Sequence, residues 1–381
     1  MKKRITIILT LLSLSAVSAD AQNLLKKIDN YIAAHAMKGY DSTYVTMPKQ
    51  KFMLSASYSV SRSFYETEIP YSLNEEEWKP MLESLGIDRS VSDYARYDMA
   101  LNATERKGRI GISYYNIGLS YTFPLENHNT TQLTFNCNGS KYGISINYRY
   151  SEALNGTVCN GLTTLLNQMS GMDYETAREA ATSDIEAGYN TLSTLLISLY
   201  YQFNGRRFSL ASALNAKYLQ KHSAGGFYIK GNFLRNNFTC DNNGKNTMIL
   251  GDREWYKTYQ FCLGAGYGYN WTPNQGKFLL HFAAAPMLSL YNRASHRTKW
   301  YINREDGTEY KESDFTDYFH NIRNSPRMSL AVQGRLAANY NFGNCVMGLI
   351  LNGQYIHYHT KGGYKLDTPY FDGSLFFGIR L

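Results

Sequence analysis

The sequence has few cysteines and prolines, and it lacks a long hydrophobic run. Among its 381 residues are 5 Cys and 8 Pro, and the mean hydropathy is −0.40. The most apolar stretch, residues 5–14, is shorter than the roughly 20 residues that a membrane-spanning helix needs. The cysteines have no C-x-x-C or metal-type spacing, and an odd number cannot all pair internally. The sequence therefore predicts neither an α-helical membrane protein nor a disulfide or zinc scaffold.

Acidic residues are also fewer than basic ones. The chain has 31 Asp and Glu against 39 Lys and Arg, which gives a net charge of +8 and a pI of about 9.0. A nucleic-acid-binding surface would require the basic residues to cluster with aromatic residues on one element. Here they are spread along the whole sequence. We therefore expect no nucleic-acid partner.

The first residues have the pattern of a secretory signal peptide. Lys2, Lys3 and Arg4 precede the apolar stretch, and Ala19 and Ala21 fit an A-x-A cleavage site. The sequence predicts cleavage of residues 1–21, so that residue 22 is the mature N-terminus. Residues 22–50 are then expected to form a periplasmic N-terminal segment.

Tyrosine and period-two alternation are abundant. The chain contains 33 Tyr and 18 Phe. In residues 141–150, Tyr142, Ile144 and Ile146 share one face, whereas Ser145 and Asn147 share the other. Side chains alternate across a strand, so this pattern describes a sheet with one apolar and one polar face. Repeated behind a secretion signal, it is typical of an outer-membrane β-barrel. We predict an all-β, transmembrane, antiparallel up-and-down barrel over residues 51–381, in the outer membrane of a Gram-negative bacterium.

About twelve strands can be assigned from this alternation. They are residues 51–64, 108–123, 130–137, 141–152, 189–203, 207–220, 223–235, 255–271, 277–292, 327–342, 345–360 and 370–381. If the first strand runs outward, the long connections 65–107, 236–254, 293–326 and 361–369 are extracellular. The turns 124–129, 222, 272–276 and 342–344 are then periplasmic, and 138–140 and 204–206 are short extracellular turns. Long outer loops and short inner turns are the norm for such barrels.

One connection does not follow this norm. Residues 153–188 are long but lie on the predicted periplasmic side, and residues 173–187 have the composition of a helix, with Asp173 as a cap and Gly188 as its end. We expect this short helix either to plug the periplasmic mouth or to lie on the surface without a role.

The polar face of the strands is rich in basic residues. The lumen-facing basic candidates are Lys141, Arg149, Lys217, Lys230, Arg335 and Arg380, and no acidic residue is assigned to the same face. A lumen of one sign favours anions. The alternative is that acids of the loops or of the 153–188 connection, such as Asp173 and Glu179, neutralise it.

Two further patterns are weaker. His357 and His359 share one face of a strand, as a metal site or a catalytic base would, but no further ligand or acid is close in sequence. Gly264, Gly266 and Gly268 lie within a strand rather than between a strand and a helix, so they are not a phosphate loop. They are expected to leave room for a bulky neighbour such as a plug. No metal, cofactor or catalytic residue is predicted.

Several blocks carry a resemblance to a known family. They are residues 200–210 (YYQFNGRRFSL) and 219–226 (LQKHSAGG), with support from residues 41–45, 141–148 and 264–269. The chain resembles a family of Bacteroidetes outer-membrane barrels catalogued as domain of unknown function 4421. The resemblance implies an outer-membrane barrel and no particular activity. The sequence departs from the family pattern at Gly226, where Ser is common, and residues 161–188 look longer and more helical.

Three functions remain open at this point. The first is binding or passive, porin-like transport of a small, possibly anionic solute that the sequence does not identify. The second is an enzyme acting on lipid or lipopolysaccharide with His357 or His359 as base, which is disfavoured because no Ser–His–acid pattern is present. The third is a structural or surface-interaction barrel. The expected partners are outer-membrane lipid, lipopolysaccharide and the barrel-assembly machinery.

Overall fold

The computed structural model describes residues 19–71, 95–126, 129–159, 163, 167, 170–241, 253–301, 315–320, 329–359 and 365–381. In chain order the elements are α1 (Ala19–Ala36), β1 (Val45–Thr46), β2 (Phe52–Tyr71), β3 (Ala95–Tyr114), β4 (Ile117–Pro124), β5 (Thr130–Asn138), β6 (Tyr142–Ser151), β7 (Asn155–Cys159), α2 (Tyr174–Ala180), β8 (Thr182–Ile185), β9 (Asn190–Gln202), α3 (Leu210–Asn215), β10 (Leu219–Gln220), β11 (Ala224–Asp241), β12 (Arg253–Trp271), β13 (Phe278–Tyr301), β14 (Phe315–His320), β15 (Ser329–Phe342), β16 (Cys345–His359), β17 (Lys365–Asp367) and β18 (Tyr370–Arg380).

Twelve of these strands form a closed antiparallel barrel. Its order is β2-β3-β4-β5-β6-β9-β11-β12-β13-β15-β16-β18, and β18 pairs with β2 to close the circle. At this seam Met53 is opposite Arg380. We call the end at which β2 begins and β18 ends the inner end, and the opposite end the outer end. The prediction of a twelve-stranded up-and-down barrel is confirmed.

Short strands extend the barrel at its outer end. The β7–β8 hairpin adds to β3, with Met99 opposite Val158. Strand β17 bridges β16 and β2, and β14 pairs with the end of β13. No helix among the described residues is long and apolar enough to cross a membrane.

The outward face of the barrel is an apolar belt. On β12 the outward residues Trp271, Tyr269, Tyr267, Leu263 and Phe261 are each about two-fifths exposed. Trp271 and Phe261 are separated by roughly 33 Å along the strand, which is roughly 25 Å of height at the tilt usual in membrane barrels. Aromatic pairs such as Trp271–Phe278 and Tyr340–Phe342 lie at the inner edge of this belt. Its height and aromatic border match the lipid-facing band of a transmembrane barrel.

Two strand assignments from the sequence are wrong. Residues 108–123 contain the last third of β3, a tight turn and most of β4, so they are a hairpin rather than one strand. Residues 207–220 are not a wall strand, because they hold α3 and β10 inside the barrel. The first error hides one wall strand and the second adds one. The total of twelve was therefore correct although two of its members were not.

The merged hairpin also reversed the predicted sides of several connections. The described residues of the connections 125–129 and 152–189 lie at the outer end, whereas the turns 139–141 and 203–206 lie at the inner end. The 153–188 connection therefore obeys the rule of long outer loops, and the prediction that it plugs the periplasmic mouth is wrong. Its helix does begin after Asp173, whose carboxylate accepts from Thr176 N at 3.1 Å, but it ends at Ala180 because β8 follows.

Candidate functional site

A segment between β9 and β11 fills the inner end of the lumen. We call residues 203–223 the plug. Helix α3 begins after Ser209, whose hydroxyl accepts from Ser212 N at 3.3 Å, and it ends at Ala216, where the backbone is left-handed with φ of +50°. Strand β10 then pairs with β1, with Val45 opposite Gln220. The chain that precedes the barrel thus forms a small sheet with the plug.

Hydrogen bonds from the buried Gln220 amide hold the plug in place. Its oxygen accepts from Ser209 N at 3.1 Å and from Asn270 Nδ2 at 3.0 Å, and its nitrogen donates to the Arg207 carbonyl at 2.6 Å. Asn270 lies on the wall strand β12, and its oxygen is 2.7 Å from His281 Nδ1 on β13. Two wall strands therefore contact the plug through one polar network.

Glycines in the wall make room for the plug. A Cβ atom at Gly268 would lie 2.7 Å from the Phe208 ring, and one at Gly226 would lie 2.9 Å from Cβ of Asn204. Both distances are shorter than ordinary van der Waals contact. The expectation that inward glycines admit a plug is met at Gly268, although the plug is a different segment from the one predicted. Phe208 is fully buried and stacks near His281.

The outer end of the lumen is closed by apolar side chains. The rings of Tyr65 on β2 and Phe238 on β11 stack with centroids 5.1 Å apart, and Tyr256 lies 5.9 Å from Phe238. In the strand order β2 and β11 are six places apart in either direction, so this stack joins opposite walls. The surrounding residues Met99, Leu101, Leu154 and Tyr358 are also buried. We call the stack and its neighbours the outer closure.

A chamber of about 450 Å³ lies in the lumen between the plug and the outer closure. Of the described residues, five basic side chains and one carboxylate line it, together with many amides and hydroxyls. The basic residues are Arg109, Arg149, Lys217, Lys230 and Arg335, and the carboxylate is Asp372. The chamber wall therefore carries an excess of positive charge.

One part of the wall is charge-compensated. Arg149 Nη2 donates to Glu105 Oε2 at 2.5 Å, and Lys107 Nζ is 3.4 Å from the same oxygen. The other oxygen of Glu105 accepts from the Ser151 hydroxyl at 2.7 Å. The Arg149 guanidinium also lies 4.9 Å from the centroid of the Tyr370 ring. This buried network fixes Arg149 against the wall and neutralises one of the two bases.

The opposite part of the wall has basic residues held by neutral partners. Lys230 Nζ donates to Gln333 Oε1 at 2.5 Å, and Arg335 Nε donates to Asn352 Oδ1 at 2.6 Å. Among the described residues, no carboxylate lies within 4 Å of the charged group of either side chain. On β3, Arg109 Nε likewise donates to a hydroxyl, that of Thr122, at 3.0 Å. These cations are oriented by amides and a hydroxyl without being neutralised.

The six lumen-facing basic candidates fall into three places. Arg149, Lys217, Lys230 and Arg335 line the chamber. Arg380 lies at the inner end of the lumen, where its guanidinium donates to the Ala216 carbonyl of the plug at 2.9 Å. Lys141 is exposed in the turn before β6 and does not line the chamber, because the strand begins one residue later.

Some functional residues were missed from the sequence, and one of the two proposed sources of acids, the 153–188 connection, was wrong. Glu105 and Lys107 lie in the part of β3 that was assigned to a loop, and Arg109 on β3 and Asp372 on β18 were overlooked although both lie in assigned strands. Alternation of Ala103, Glu105 and Lys107 with exposed residues was the signal that could have found them. The acids of the 153–188 connection, including Asp173 and Glu179, are exposed at the outer end and do not reach the chamber.

The two histidines of β16 lie on its outward face, away from the chamber. His357 Nδ1 is 2.8 Å from Asp367 Oδ1, and the His359 ring is 6.0 Å from that of His357. No group of three metal-ligating side chains occurs in the part of the chain that the structure describes. The His357 contacts there include no Ser, Thr or Cys side chain.

Solved structures similar in fold are outer-membrane barrels. The outer membrane protease OmpT of Escherichia coli is 8% identical, with 88% of this chain and 98% of that chain covered and a TM-score of 0.39. The translocator domain of the autotransporter NalP of Neisseria meningitidis is 11% identical, with 96% and 99% covered and a TM-score of 0.34. LpxR of Salmonella typhimurium is also 11% identical, with 85% and 99% covered and a TM-score of 0.26. Such scores carry no argument about activity.

No curated protein matches the chain in sequence. A family model described as "Domain of unknown function (DUF4421)" matches residues 81–380, which include the wall from β3 to β18 and the plug. The matched part is well over half of the chain. This chain, which forms a closed and plugged barrel with a cationic chamber, therefore belongs to the DUF4421 family.

Proposed function

We propose that this protein is an outer-membrane barrel that binds a small anionic solute in its chamber. The observation that carries the proposal is the wall itself, where five basic side chains face a single carboxylate, Asp372, among the described residues. A chamber of about 450 Å³ is within the usual range for small-molecule sites. The apolar belt of roughly 25 Å supports the membrane location.

Electrostatics favours an anion over a neutral solute in this chamber. Charges interact more strongly in a low-dielectric interior than in bulk water, and walls of one sign focus the field. Lys230 and Arg335 are already oriented by Gln333 and Asn352. An anion that enters would gain charge-assisted hydrogen bonds without reorganising the wall, and the amides and hydroxyls can bind its neutral polar groups.

Binding is favoured over free passage because both ends of the lumen are obstructed. The plug fills the inner end, and the Tyr65–Phe238 stack joins opposite walls near the outer end. A passive porin would need a continuous water-filled path. A lipid-modifying activity at His357 is less well supported, because its ring contacts Asp367 and, among the described residues, no nucleophile.

Export by a cleaved signal peptide over residues 1–21 and a Bacteroidetes source remain parts of this proposal. Residues 1–18 lie outside the described part of the chain, so the support is the basic start, the apolar run and the A-x-A site. N-terminal sequencing of the membrane-extracted protein is expected to begin at residue 22. A start at Met1 would contradict the cleavage.

The solute is tested by calorimetry on the refolded protein in detergent. Glucuronate, a sugar acid, is expected to bind at least tenfold more tightly than glucose, which has the same ring but no charge. Replacing both cations (Lys230→Gln with Arg335→Gln) should remove this preference. The matched control Arg206→Gln changes an exposed arginine of the plug and should keep it. Equal binding of the acid and the neutral sugar, or no binding of glucuronate, acetate or sulfate, would contradict the proposal.

A further inference from the structure

Three exposed basic side chains stand together on the outward face of β11, β12 and β13. The two arginines lie at the same level of the wall, because Arg235 is opposite Tyr259 of β12 and Tyr259 is opposite Arg293. Lys257 follows two residues further toward the outer end of β12, and its side chain is also exposed. We call Arg235, Lys257 and Arg293 the basic row.

The basic row begins where the apolar belt ends. The level just below it is aromatic, with Phe233, Phe261 and Tyr291 opposite one another on the same three strands. Phe261 is also the outer limit of the belt on β12. Aromatic side chains mark the membrane–water interface of barrels, and the next outward level therefore faces the head groups of the outer leaflet.

No acid neutralises the basic row among the described residues. Two other basic residues on the outer half of the wall do have acidic partners, with Arg106 3.4 Å from Glu126 and Lys365 2.8 Å from Glu68. In the basic row the charged end of Arg235 instead lies 5.7 Å from the centroid of the Tyr259 ring. The ring holds the guanidinium at the wall without neutralising its charge.

We propose that the basic row binds a phosphate group of a lipopolysaccharide molecule whose acyl chains lie on the aromatic level below it. Guanidinium groups match phosphate oxygens in bidentate geometry, and an ammonium adds a third positive contact. Arg235 and Arg293 stand two strand spacings apart, roughly 10 Å between their Cα atoms, so their long side chains can converge on one phosphate. The inference rests on the membrane location proposed above and is independent of the solute chamber.

Binding of purified lipid A to the detergent-solubilised protein tests the proposal, with native mass spectrometry as the readout. The variant with Arg235→Gln, Lys257→Gln and Arg293→Gln is expected to bind lipid A at least tenfold more weakly. Lipid A stripped of its phosphates should bind the unsubstituted protein as weakly. The control Arg62→Gln removes another exposed, outward arginine that lies over an aromatic ring, that of Phe64, and should leave the affinity within about twofold.

Other outcomes overturn the proposal. If the triple variant retains its affinity for lipid A, the basic row is not the site. If inorganic phosphate competes at the same concentration as lipid A, the site recognises a free anion rather than the lipid. Glucuronate binding in the triple variant serves as the internal check, because it reports on the chamber alone. Loss of lipid binding with intact glucuronate binding is the expected combination.

Discussion

The two ends of the lumen are closed in different ways. At the outer closure, apolar side chains of the wall strands pack on one another, and Phe238 and Tyr65 meet across the barrel. At the inner end, a separate segment is held by hydrogen bonds from Gln220 and Asn270 and by buried apolar side chains such as Phe208 and Ala213. Polar contacts can be exchanged for contacts with water at little net cost, whereas buried apolar contacts cannot. Water can therefore replace part of the contacts that hold the plug, whereas the outer closure is part of the wall's own apolar packing.

The largest expected effect comes from removing both closures together. We expect that replacing residues 207–221 by a short Gly-Ser linker, combined with Tyr65→Ala and Phe238→Ala, gives anion-selective conductance in planar bilayers. Because the obstructions lie in series, either change alone should leave conductance near the baseline. Heat-modifiable migration on a gel would show that each variant is folded. Full conductance after plug removal alone would mean that the outer closure is no barrier.

The next effect concerns the stability of the outer closure. Phe238 is fully buried, so Phe238→Ala should lower the free energy of unfolding by about 3–5 kcal/mol, through lost burial and a cavity. Urea titration in liposomes measures this change. Phe227→Ala is the comparison, since that ring is 65% exposed on the outward face and its loss leaves no cavity. Similar losses of stability in both variants would show that the side chains around residue 238 close over the missing ring and leave no cavity.

A smaller effect is expected at the plug. Gln220→Ala removes the amide that bonds Ser209, Asn270 and two carbonyls, and should cost about 1–3 kcal/mol because water replaces part of these bonds. Trypsin cleavage at Arg206 and Arg207 should accelerate, which reports on the plug specifically. The control Gln50→Ala removes an exposed amide that contacts Asn344, and neither quantity should change.

The smallest effect is a pH dependence at the N-terminal helix. Lys51 Nζ and the Tyr114 hydroxyl donate to the Asp29 carboxylate and hold the pKa of Asp29 below its usual value. A lowered pKa stabilises the folded contact above about pH 4 and loses that contribution as the pH falls further. The protection of the α1 amides against hydrogen exchange, measured relative to the intrinsic rate at each pH, should therefore fall below about pH 4, and Asp29→Asn should abolish this pH dependence. An unchanged loss of protection in the variant would assign it to another group.

The face on which each strand side chain lies could be predicted well from the sequence. Side chains alternate between the two faces, and a shift of the strand by one residue would move every apolar side chain to the polar face. Ile144 and Ile146 face outward and Ser145 and Asn147 face the lumen, as the alternation indicates. The hairpin after β3 was missed because its turn lacks glycine and proline. Tyr115 adopts a φ of +48° there. Tyrosine rarely takes this conformation, so its presence in the sequence does not indicate a turn.

The plug could not be recognised for a different reason. Short apolar runs do not distinguish a helix from a strand, and residues 207–220 alternate well enough to resemble one. Once that segment was placed in the wall, Lys217 was still assigned to the lumen, which is where it lies. The arrangement of Lys230, Arg335 and Asp372 in one space depends on which strands face each other, and that requires the closed barrel.

The seam between β2 and β18 has a consequence for how the molecule is made. Met53 and Arg380 are opposite each other across it, so β2 cannot complete its pairing until the last residues of the chain have been synthesised. Contacts this distant in sequence form slowly, because the entropy of closing the whole chain is lost before they stabilise it. Until then both seam strands expose unpaired backbone groups, which other chains could join. The interval between the emergence of β2 and the completion of β18 is therefore the one in which the unclosed chain is most open to pairing with other chains.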